Sequence, residues 1–172
     1  MKNALGVSIA LVAVLWTWLV LAGPLNGLAL VWAGFIAWGA YFTVGKDALG
    51  KTIMATIFGS FMAIVAVFIL ALIDDYLGQF AAPVAVGITV YILTAVPKLN
   101  NIPANVFGYA ATFGFLLTAL VEYETAVQMA VATDGESLLS FDLKHPFIIM
   151  VVSFIGGAIM AKLSEMLAAK LG

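Results

Sequence analysis

Two asparagines lie near the ends of apolar segments in this chain of 172 residues, where a carboxamide requires a hydrogen-bond partner. Asn26 follows Pro24, and Asn105 follows Pro103. Burying an amide without a partner costs about 2 to 7 kcal/mol. Each asparagine therefore either caps a helix end or faces a neutral solute that forms hydrogen bonds. The other polar side chains at depth are mostly Ser and Thr hydroxyls, which can bond the backbone of their own helix.

Acids, bases and metal ligands are scarce in the apolar segments. The chain has no Cys and a single His, so neither a cysteine zinc site nor a histidine cluster can form, and we expect no metal and no cofactor. The central portions of the apolar segments carry no charge, which argues against a proton-coupled carrier. Glu122, Glu124 and His145 could meet as an enzyme site, but His145 precedes Pro146 at a helix boundary. We expect a boundary residue there and no enzyme.

The composition is that of a membrane protein. Hydrophobic residues make up 65% of the chain and charged residues only 9%, against about 25% charged residues in soluble domains. A net charge of -2 leaves no basic face for a nucleic acid, so the expected partner is the lipid bilayer. Backbone polar groups in lipid must be satisfied within helices or closed barrels, and long apolar runs favour helices.

The predicted fold class is all-α, a polytopic membrane helical bundle of six transmembrane helices in a single domain, 1–172. Each span needs about 20 apolar residues to cross roughly 30 Å of hydrocarbon. The very short connection between the first two spans predicts that they form an antiparallel hairpin. The predicted spans are 5–22, 25–44, 52–73, 80–96, 102–121 and 147–168.

The distribution of lysine predicts the orientation, because cytoplasmic loops are enriched in positive charge. Six spans with both the N- and C-termini cytoplasmic leave only Lys144 outside. The lysines on the cytoplasmic side are then Lys2, Lys46, Lys51, Lys98, Lys162 and Lys170. The same topology gathers acidic residues outside, and those at the predicted outer mouth are Asp74, Asp75, Glu122 and Glu124.

Residues 122–145 form the one long polar segment, which the topology places outside the membrane. Connections of this length without regular structure are uncommon and often functional. The segment is either a short amphipathic helix with a turn at Asp134 and Gly135, lying on the membrane surface, or a lid over a pore mouth.

Small residues recur four apart on four of the predicted helices. Such rows allow the close backbone approach that drives much helix association in lipid. They predict tight packing, within the monomer or between copies in a homo-oligomer, or else a path lined by small residues and exposed carbonyls. The rows are Ala55, Gly59 and Ala63; Ala81, Ala85 and Thr89; Ala104, Gly108 and Thr112; Ser153, Gly157 and Ala161.

The second and fifth helices share a texture of glycine and aromatic residues, VWAGFIAWGAYF and VFGYAATFGF. With three helices in each half of the chain, the two halves would run in opposite senses, as in the inverted repeats of transporters. Helices rich in Gly and Ala also produce such matches by chance.

A family resemblance rests on residues of these same two helices. They are Trp32, Ala33, Gly34, Phe35, Tyr41 and Phe42 on the second helix, and Pro103, Gly108, Thr112 and Phe113 on the fifth. At these residues the chain resembles the YcdZ-like family of small bacterial inner-membrane proteins of unknown function. The resemblance covers most of the hydrophobic chain, except 122–145, which is longer than the family's usual connection. It implies a multi-pass protein of the bacterial inner (cytoplasmic) membrane and no established activity.

Two functions from different classes fit these features. The first is a channel or facilitator for a small neutral or weakly polar solute, favoured by the absence of charge at depth. The second is a subunit that does not transport and instead scaffolds or regulates a partner. A continuous cavity lined by Asn105 and Thr112 would distinguish the first from the second. The candidate pore-lining or solute-binding residues are Asn26, Trp32, Asn105, Gly108 and Thr112.

Overall fold

All regular structure among the described residues is helical, which confirms the all-α prediction. The computed structural model describes residues 3–96, 99, 101–119, 143 and 145–172. A 3-10 turn, Gly78–Phe80, joins the third helix to the fourth, and a π-helical turn, Phe115–Ala119, extends the fifth. The predicted external segment 122–145 lies outside the described residues except at 143 and 145. The helices are α1 Ala4–Leu21, α2 Val31–Val44, α3 Ala48–Leu77, α4 Ala81–Ala95, α5 Ile102–Gly114 and α6 Pro146–Leu171.

Three helical stretches of the described chain are long and apolar enough to cross a membrane. They are Ala4–Leu21, Ala48–Ala95, which contains both α3 and α4, and Pro146–Leu171. Two further apolar helices, Val31–Val44 and Ile102–Leu117, are shorter. Several long apolar helices are compatible with a membrane protein, as the composition predicts.

The boundaries of two helices differ from the predicted spans. Helix α2 begins at Val31, six residues after the start of the predicted span 25–44, because 22–30 fold into turns that include Gly27 at a φ of 75°. Helix α3 extends beyond the predicted span 52–73 at both ends. It begins after Asp47, whose φ is 58°, and it ends at Gly78, whose φ of 48° is a conformation that glycine adopts without strain.

Consecutive helices differ in how closely they pack, since α3 and α4 are close neighbours whereas α1 and α2 are not. Helix α1 packs chiefly against α6, and it has few contacts with α2, its neighbour in sequence. The predicted hairpin of the first two helices is therefore wrong as a packing unit. The nine residues 22–30 separate α1 from α2 far enough for α6 to contact both.

Two pairs of parallel helices cross with their backbones in direct contact. In the α3–α5 pair, a Cβ atom at Gly108 would overlap the backbone of Thr56, and one at Gly59 would overlap the backbone of Asn105. In the α2–α6 pair, a Cβ atom at Gly157 would overlap the backbone of Gly34. Glycine is the residue that permits such approach.

All four rows of small residues are buried within the monomer, which confirms their interpretation as packing surfaces. The α3 row meets the α5 row, and the α4 row packs against α3 around Leu70. The α6 row packs on α2, where the Ser153 hydroxyl also accepts a hydrogen bond of 2.8 Å from the backbone N–H of Leu30.

The main helix pairs follow the internal symmetry that the shared texture of α2 and α5 suggested, although α2 packs on α3 more extensively than its counterpart α5 packs on α6. Exchanging α1 with α4, α2 with α5 and α3 with α6 converts the α2–α6 pair into the α5–α3 pair, and the α1–α6 pair into the α4–α3 pair. The two halves are inverted, because α2 and α5 run antiparallel, with Trp32 beside Phe115 at one end and Ala40 beside Ala104 at the other. At the crossings, Gly34 and its equivalent Gly108 meet α6 and α3 respectively.

The sequences around the other two crossing glycines also correspond. Residues 59–63 of α3 read GSFMA, and residues 157–161 of α6 read GAIMA. The buried positions of α1 and α4 likewise recur every four residues, at Ser8, Val12, Trp16 and Val20 and at Ala81, Ala85, Thr89 and Leu93. Each three-helix half therefore uses the same face of each helix to contact the other half.

Trp16 fixes the position of α1 in this arrangement. Its indole ring is fully buried and lies against Gly34 of α2 and Gly156 of α6, where any side chain would overlap the ring. The indole N–H donates a hydrogen bond of 3.1 Å to the carbonyl oxygen of Val31. One side chain thus joins three helices.

Adding a single methyl group at a helix crossing tests this packing. Gly108→Ala is expected to lower the free energy of unfolding by about 1 to 3 kcal/mol, the usual cost of overpacking, because the new Cβ overlaps the backbone of Thr56. Gly39→Ala is the matched control, since a Cβ atom at Gly39 meets nothing within 4 Å. Reversible unfolding in mixed detergent micelles measures both. Equal stability of the two variants would contradict a close α3–α5 crossing.

Candidate functional site

Buried polar side chains concentrate along the crossing of α3 and α5, which we call the α3–α5 seam. The Thr112 hydroxyl donates a hydrogen bond of 2.7 Å to the Ser60 hydroxyl across the seam. The hydroxyls of Thr89 and Tyr109, 2.9 Å apart, join α4 to α5 beside it. The residues of the seam are Thr52, Thr56, Ser60, Asn105 and Thr112, all fully buried.

Asn105 caps a helix junction with the nitrogen of its carboxamide, and the oxygen of the same group is unsatisfied among the described residues. Its carboxamide nitrogen donates to the backbone carbonyls of Leu99, at 2.9 Å, and Leu93, at 3.4 Å, so it ties the end of α4 to the start of α5. Its carbonyl oxygen is buried and has no hydrogen-bond partner among the described residues. One half of the side chain is a structural cap, and the other half is an acceptor without a donor.

A hydrogen bond joins the first helix of each half to the second. In the first half the Trp16 indole of α1 donates to the carbonyl of Val31, and in the second half the Asn105 carboxamide of α5 donates to the carbonyl of Leu93. The register that pairs Gly108 with Gly34 pairs Asn105 with Val31. The donor is therefore on α1 in the first half and on α5 in the second.

Three of the predicted solute-binding residues lie together on the seam. Asn105, Gly108 and Thr112 face α3 at successive turns of α5. The seam is closed by direct contact, since the backbone of Thr56 occupies the space beside Gly108. The same seam also leaves the hydroxyl oxygen of Thr52 buried without a partner among the described residues.

Trp32 lies apart from the seam, in a groove between α2 and α5. The groove has a volume of about 380 Å³ and an almost entirely apolar lining. The rings of Trp32 and Phe115 are 6.2 Å apart, and Trp32 is 40% exposed. The other lining residues are Ile36, Phe107, Ala110, Ala111 and Gly114.

The remaining candidates are dispersed. Asn26 is exposed and donates a hydrogen bond of 2.6 Å to the carbonyl of Leu21, which caps the end of α1. Asp74 and Asp75 lie in the last turn of α3, whereas 122 and 124 lie outside the described residues. The ring of His145 caps α6 by accepting a hydrogen bond of 3.1 Å from the backbone N–H of Phe147.

A further cavity, lined by several charged side chains, was not predicted by the sequence analysis. It has a volume of about 690 Å³ and lies between the α2–α3 loop and α6; we call it the loop pocket. Three lysines, Lys46, Lys51 and Lys162, and two acids, Asp47 and Glu165, line it. The other lining residues are Tyr41, Gly45, Ala48, Leu49, Gly50 and Met54.

Most of the charges in the loop pocket are held in place by neighbours. Glu165 accepts hydrogen bonds from the Tyr41 hydroxyl, at 2.6 Å, and from the Lys162 ammonium, at 2.7 Å. The Lys51 ammonium donates to the carbonyl of Lys46, at 2.9 Å, and lies 3.8 Å from the carboxylate of Asp47. The i,i+3 pairing of Lys162 and Glu165 is readable from sequence, but the approach of Tyr41 is not.

One sequence signal does mark the loop pocket. Residues 45–52 read GKDALGKT, which has the spacing of a phosphate-binding loop, G-x-x-x-x-G-K-[ST]. That motif requires a strand before the loop, and here the loop joins two helices, with Gly50 and Lys51 already inside α3. The spacing therefore does not identify a nucleotide fold, although it places a lysine and the start of a helix together.

The architecture is that of a helical protein with several long apolar helices, as in membrane proteins, and its buried polar groups are mostly uncharged. The family described as "Protein of unknown function (DUF1097)" matches residues 6–169. The chain belongs to this family. The matched range includes 122–145, the segment that the sequence analysis left outside its family resemblance. No curated protein and no solved structure matches the chain.

The hydrogen bond between Thr112 and Ser60 can be measured by a double-mutant cycle. Thr112→Val and Ser60→Ala each remove one partner, and the double variant removes both. We expect a coupling energy of about 0.6 kcal/mol and at most about 1.7 kcal/mol, the range for hydrogen bonds between membrane helices. Unfolding in mixed micelles gives the change in the free energy of unfolding for each single variant and for the double variant. Strict additivity of the single changes would contradict this bond.

Proposed function

We propose that this protein is a membrane facilitator for a small neutral or weakly polar solute, with six transmembrane helices and both termini in the cytoplasm. The solute would move along the α3–α5 seam. In keeping with the resemblance to YcdZ-like proteins, the proposed location is the bacterial inner membrane. Embedded ionisable groups are absent from the seam, so the proposal includes neither proton coupling nor enzyme chemistry.

The observation that carries this proposal is the buried carbonyl oxygen of Asn105, which has no hydrogen-bond partner in the described part of the chain. A buried acceptor without a donor is destabilising by about 1 to 3 kcal/mol. A solute with an N–H or O–H group would donate a hydrogen bond to this oxygen. If the same molecule reached Thr52, it would also satisfy the hydroxyl of Thr52. A neutral hydrogen-bonding solute, such as an amide or a polyol, has the chemistry that matches these groups.

The inverted arrangement of the two halves supports the same proposal. Transporters built from inverted repeats bind their substrates between the repeats. Here α3 belongs to the first half and α5 to the second, so the α3–α5 seam is a boundary between the halves. Conduction would require α3 and α5 to separate at Gly59 and Gly108, where the backbones touch.

Asp74 and Asp75 fit a role at the outer entrance. They end α3 on the side that the proposed topology places outside, at the opposite end of the seam from Thr52. Acidic residues at a mouth hydrate it and attract cations, so monovalent cations belong among the solutes tested.

A scaffold or regulatory subunit is the second candidate, and the groove beside Trp32 is the observation that favours it. Aromatic residues are enriched in the cores of protein interfaces. Trp32, Phe107 and Phe115 line an open apolar groove where α2 meets α5. A transmembrane helix of a partner, or of a second copy in a homo-oligomer, would fit an apolar groove better than a polar solute would.

Solute flux into proteoliposomes distinguishes the two candidates. Light scattering would follow a panel of small amides, polyols and monovalent cations. We expect selective flux through the wild type. In Asn105→Leu the flux should fall at least about tenfold, because the change removes the hydrogen-bond acceptor. A lost interaction of about 1.4 kcal/mol corresponds to each factor of ten. The flux rate is divided by the amount of folded protein in each preparation.

Thr89→Val is the matched control for that experiment. It also removes a buried hydrogen bond, to Tyr109, and it leaves the contacts of Asn105 unchanged. Equal flux through both variants would remove Asn105 from the path. Absence of flux through folded wild-type protein would favour the scaffold.

The proposed topology has a direct test, because the chain contains no cysteine. Single cysteines introduced at Lys46 and at Asp134 should react with an impermeant thiol reagent from opposite sides of the membrane, with Asp134 labelled from outside. Labelling of both sites from the same side would overturn the six-span topology. Wild-type protein, which cannot react, is the background control.

A further inference from the structure

We infer that the loop pocket binds a phosphate group, carried by an anionic phospholipid at the membrane surface or by a small soluble phosphate. The pocket is separate from the α3–α5 seam, and the inference holds whether or not the protein conducts a solute. Its basis is that three lysines, from two separate parts of the chain, line one cavity of about 690 Å³. That volume accommodates a headgroup.

The two acids of the pocket leave a net positive charge for a ligand. Glu165 is engaged by both Tyr41 and Lys162, and the Asp47 side chain is 88% exposed to solvent. Against these two negative charges stand the three lysines. An ammonium group whose partner carboxylate is already shared can bind a second oxyanion, because each ammonium has three donors.

The lining beside the lysines favours a lipid over a soluble ligand. Leu49 and Met54 border the same cavity, and Met54 is 54% exposed on the outer surface of α3. A headgroup bound at the lysines would place its acyl chains along this apolar surface. In the proposed topology the pocket lies at the cytoplasmic face, where basic pockets between helices bind anionic headgroups.

The start of α3 adds to the positive field of the pocket. This helix of 30 residues begins at Ala48, and the side chain of Asp47 makes no capping hydrogen bond to it. The N–H groups of the first turn point toward a helix N-terminus and favour anions there. This contribution is secondary to the three lysines.

Native mass spectrometry of the full chain in a neutral detergent tests the inference. The protein would be mixed with equal amounts of phosphatidylglycerol and phosphatidylcholine, and retained lipid would be counted. We expect preferential retention of phosphatidylglycerol. Lys51→Gln and Lys162→Gln should each reduce the retention of phosphatidylglycerol about fivefold, and the double variant should reduce it about 25-fold. These factors follow from the typical contribution of one lysine near a membrane surface.

Lys170→Gln is the matched control, since Lys170 lies in the last turn of α6 outside the pocket and should leave retention unchanged. Lys51→Arg should restore retention. The thermal stability of each variant without lipid confirms folding. Equal retention by the double variant and the wild type would overturn the inference. Equal retention of the two lipids would also overturn it if inorganic phosphate caused no rise in the melting temperature of the wild type.

Inorganic phosphate distinguishes the two sources of the group. Retention of phosphatidylglycerol in excess phosphate would assign the site to a lipid headgroup. Displacement by phosphate, dependent on Lys51 and accompanied by a rise in the melting temperature of wild-type protein alone, would assign it to a soluble phosphate. Displacement that is equal in the Lys51→Gln variant would count against the pocket as the site.

Discussion

Direct backbone contact at two helix crossings is the constraint on which the rest of this structure depends. Lipid supplies little apolar drive between helices, so association relies on close packing and on hydrogen bonds. At Gly108 against Thr56, and at Gly157 against Gly34, no side-chain atom separates the helices. The positions of α1 and α4 follow from these crossings, because each of them packs on a helix that belongs to the opposite half.

The two crossings are equivalent in geometry and different in chemistry. The α2–α6 crossing is covered by the indole of Trp16, whose N–H bonds the carbonyl of Val31. In the same cluster the buried indole N–H of Trp38 has no partner among the described residues. The α3–α5 crossing has hydroxyls and the carboxamide of Asn105 in the corresponding region, and there the unpartnered atoms of the described residues are oxygens. The proposed solute path therefore lies at the second crossing, where an acceptor and hydroxyls lie along one seam.

Much of this architecture could be predicted from the sequence, since hydropathy and the four-residue spacing of small residues depend on local properties of the chain. The rows through Gly59 and Gly157 identified the buried faces, and the helix count of the described chain follows the apolar segments. The partner of each helix could not be predicted, because it depends on contacts between residues far apart in sequence. The short connection after Ala22 suggested a hairpin, and the turns through Gly27 instead leave room for α6.

The candidate site was predictable only in part, for the same physical reason. Asn105, Gly108 and Thr112 share a face of α5 by helical periodicity alone, whereas Trp32 faces a different groove because α2 meets α5 along another surface. The loop pocket escaped prediction because the approach of Tyr41 to Glu165 joins residues 124 positions apart. Charge counts place lysines on one side of a membrane, but they do not reveal which lysines converge.

The contact between the first and last helices has a consequence for biogenesis. Chains are made from the N-terminus, so α1 is complete long before α6, the helix that it packs against. During that interval the Trp16 ring has neither Gly156 beside it nor the closed α2–α6 crossing around it. In a membrane, α1 would therefore have to persist without its final neighbour, and its 18 residues contain no charged side chain. Apart from Ser8, the buried polar side chains of the described residues lie in or next to helices α3 to α6, which are synthesised later.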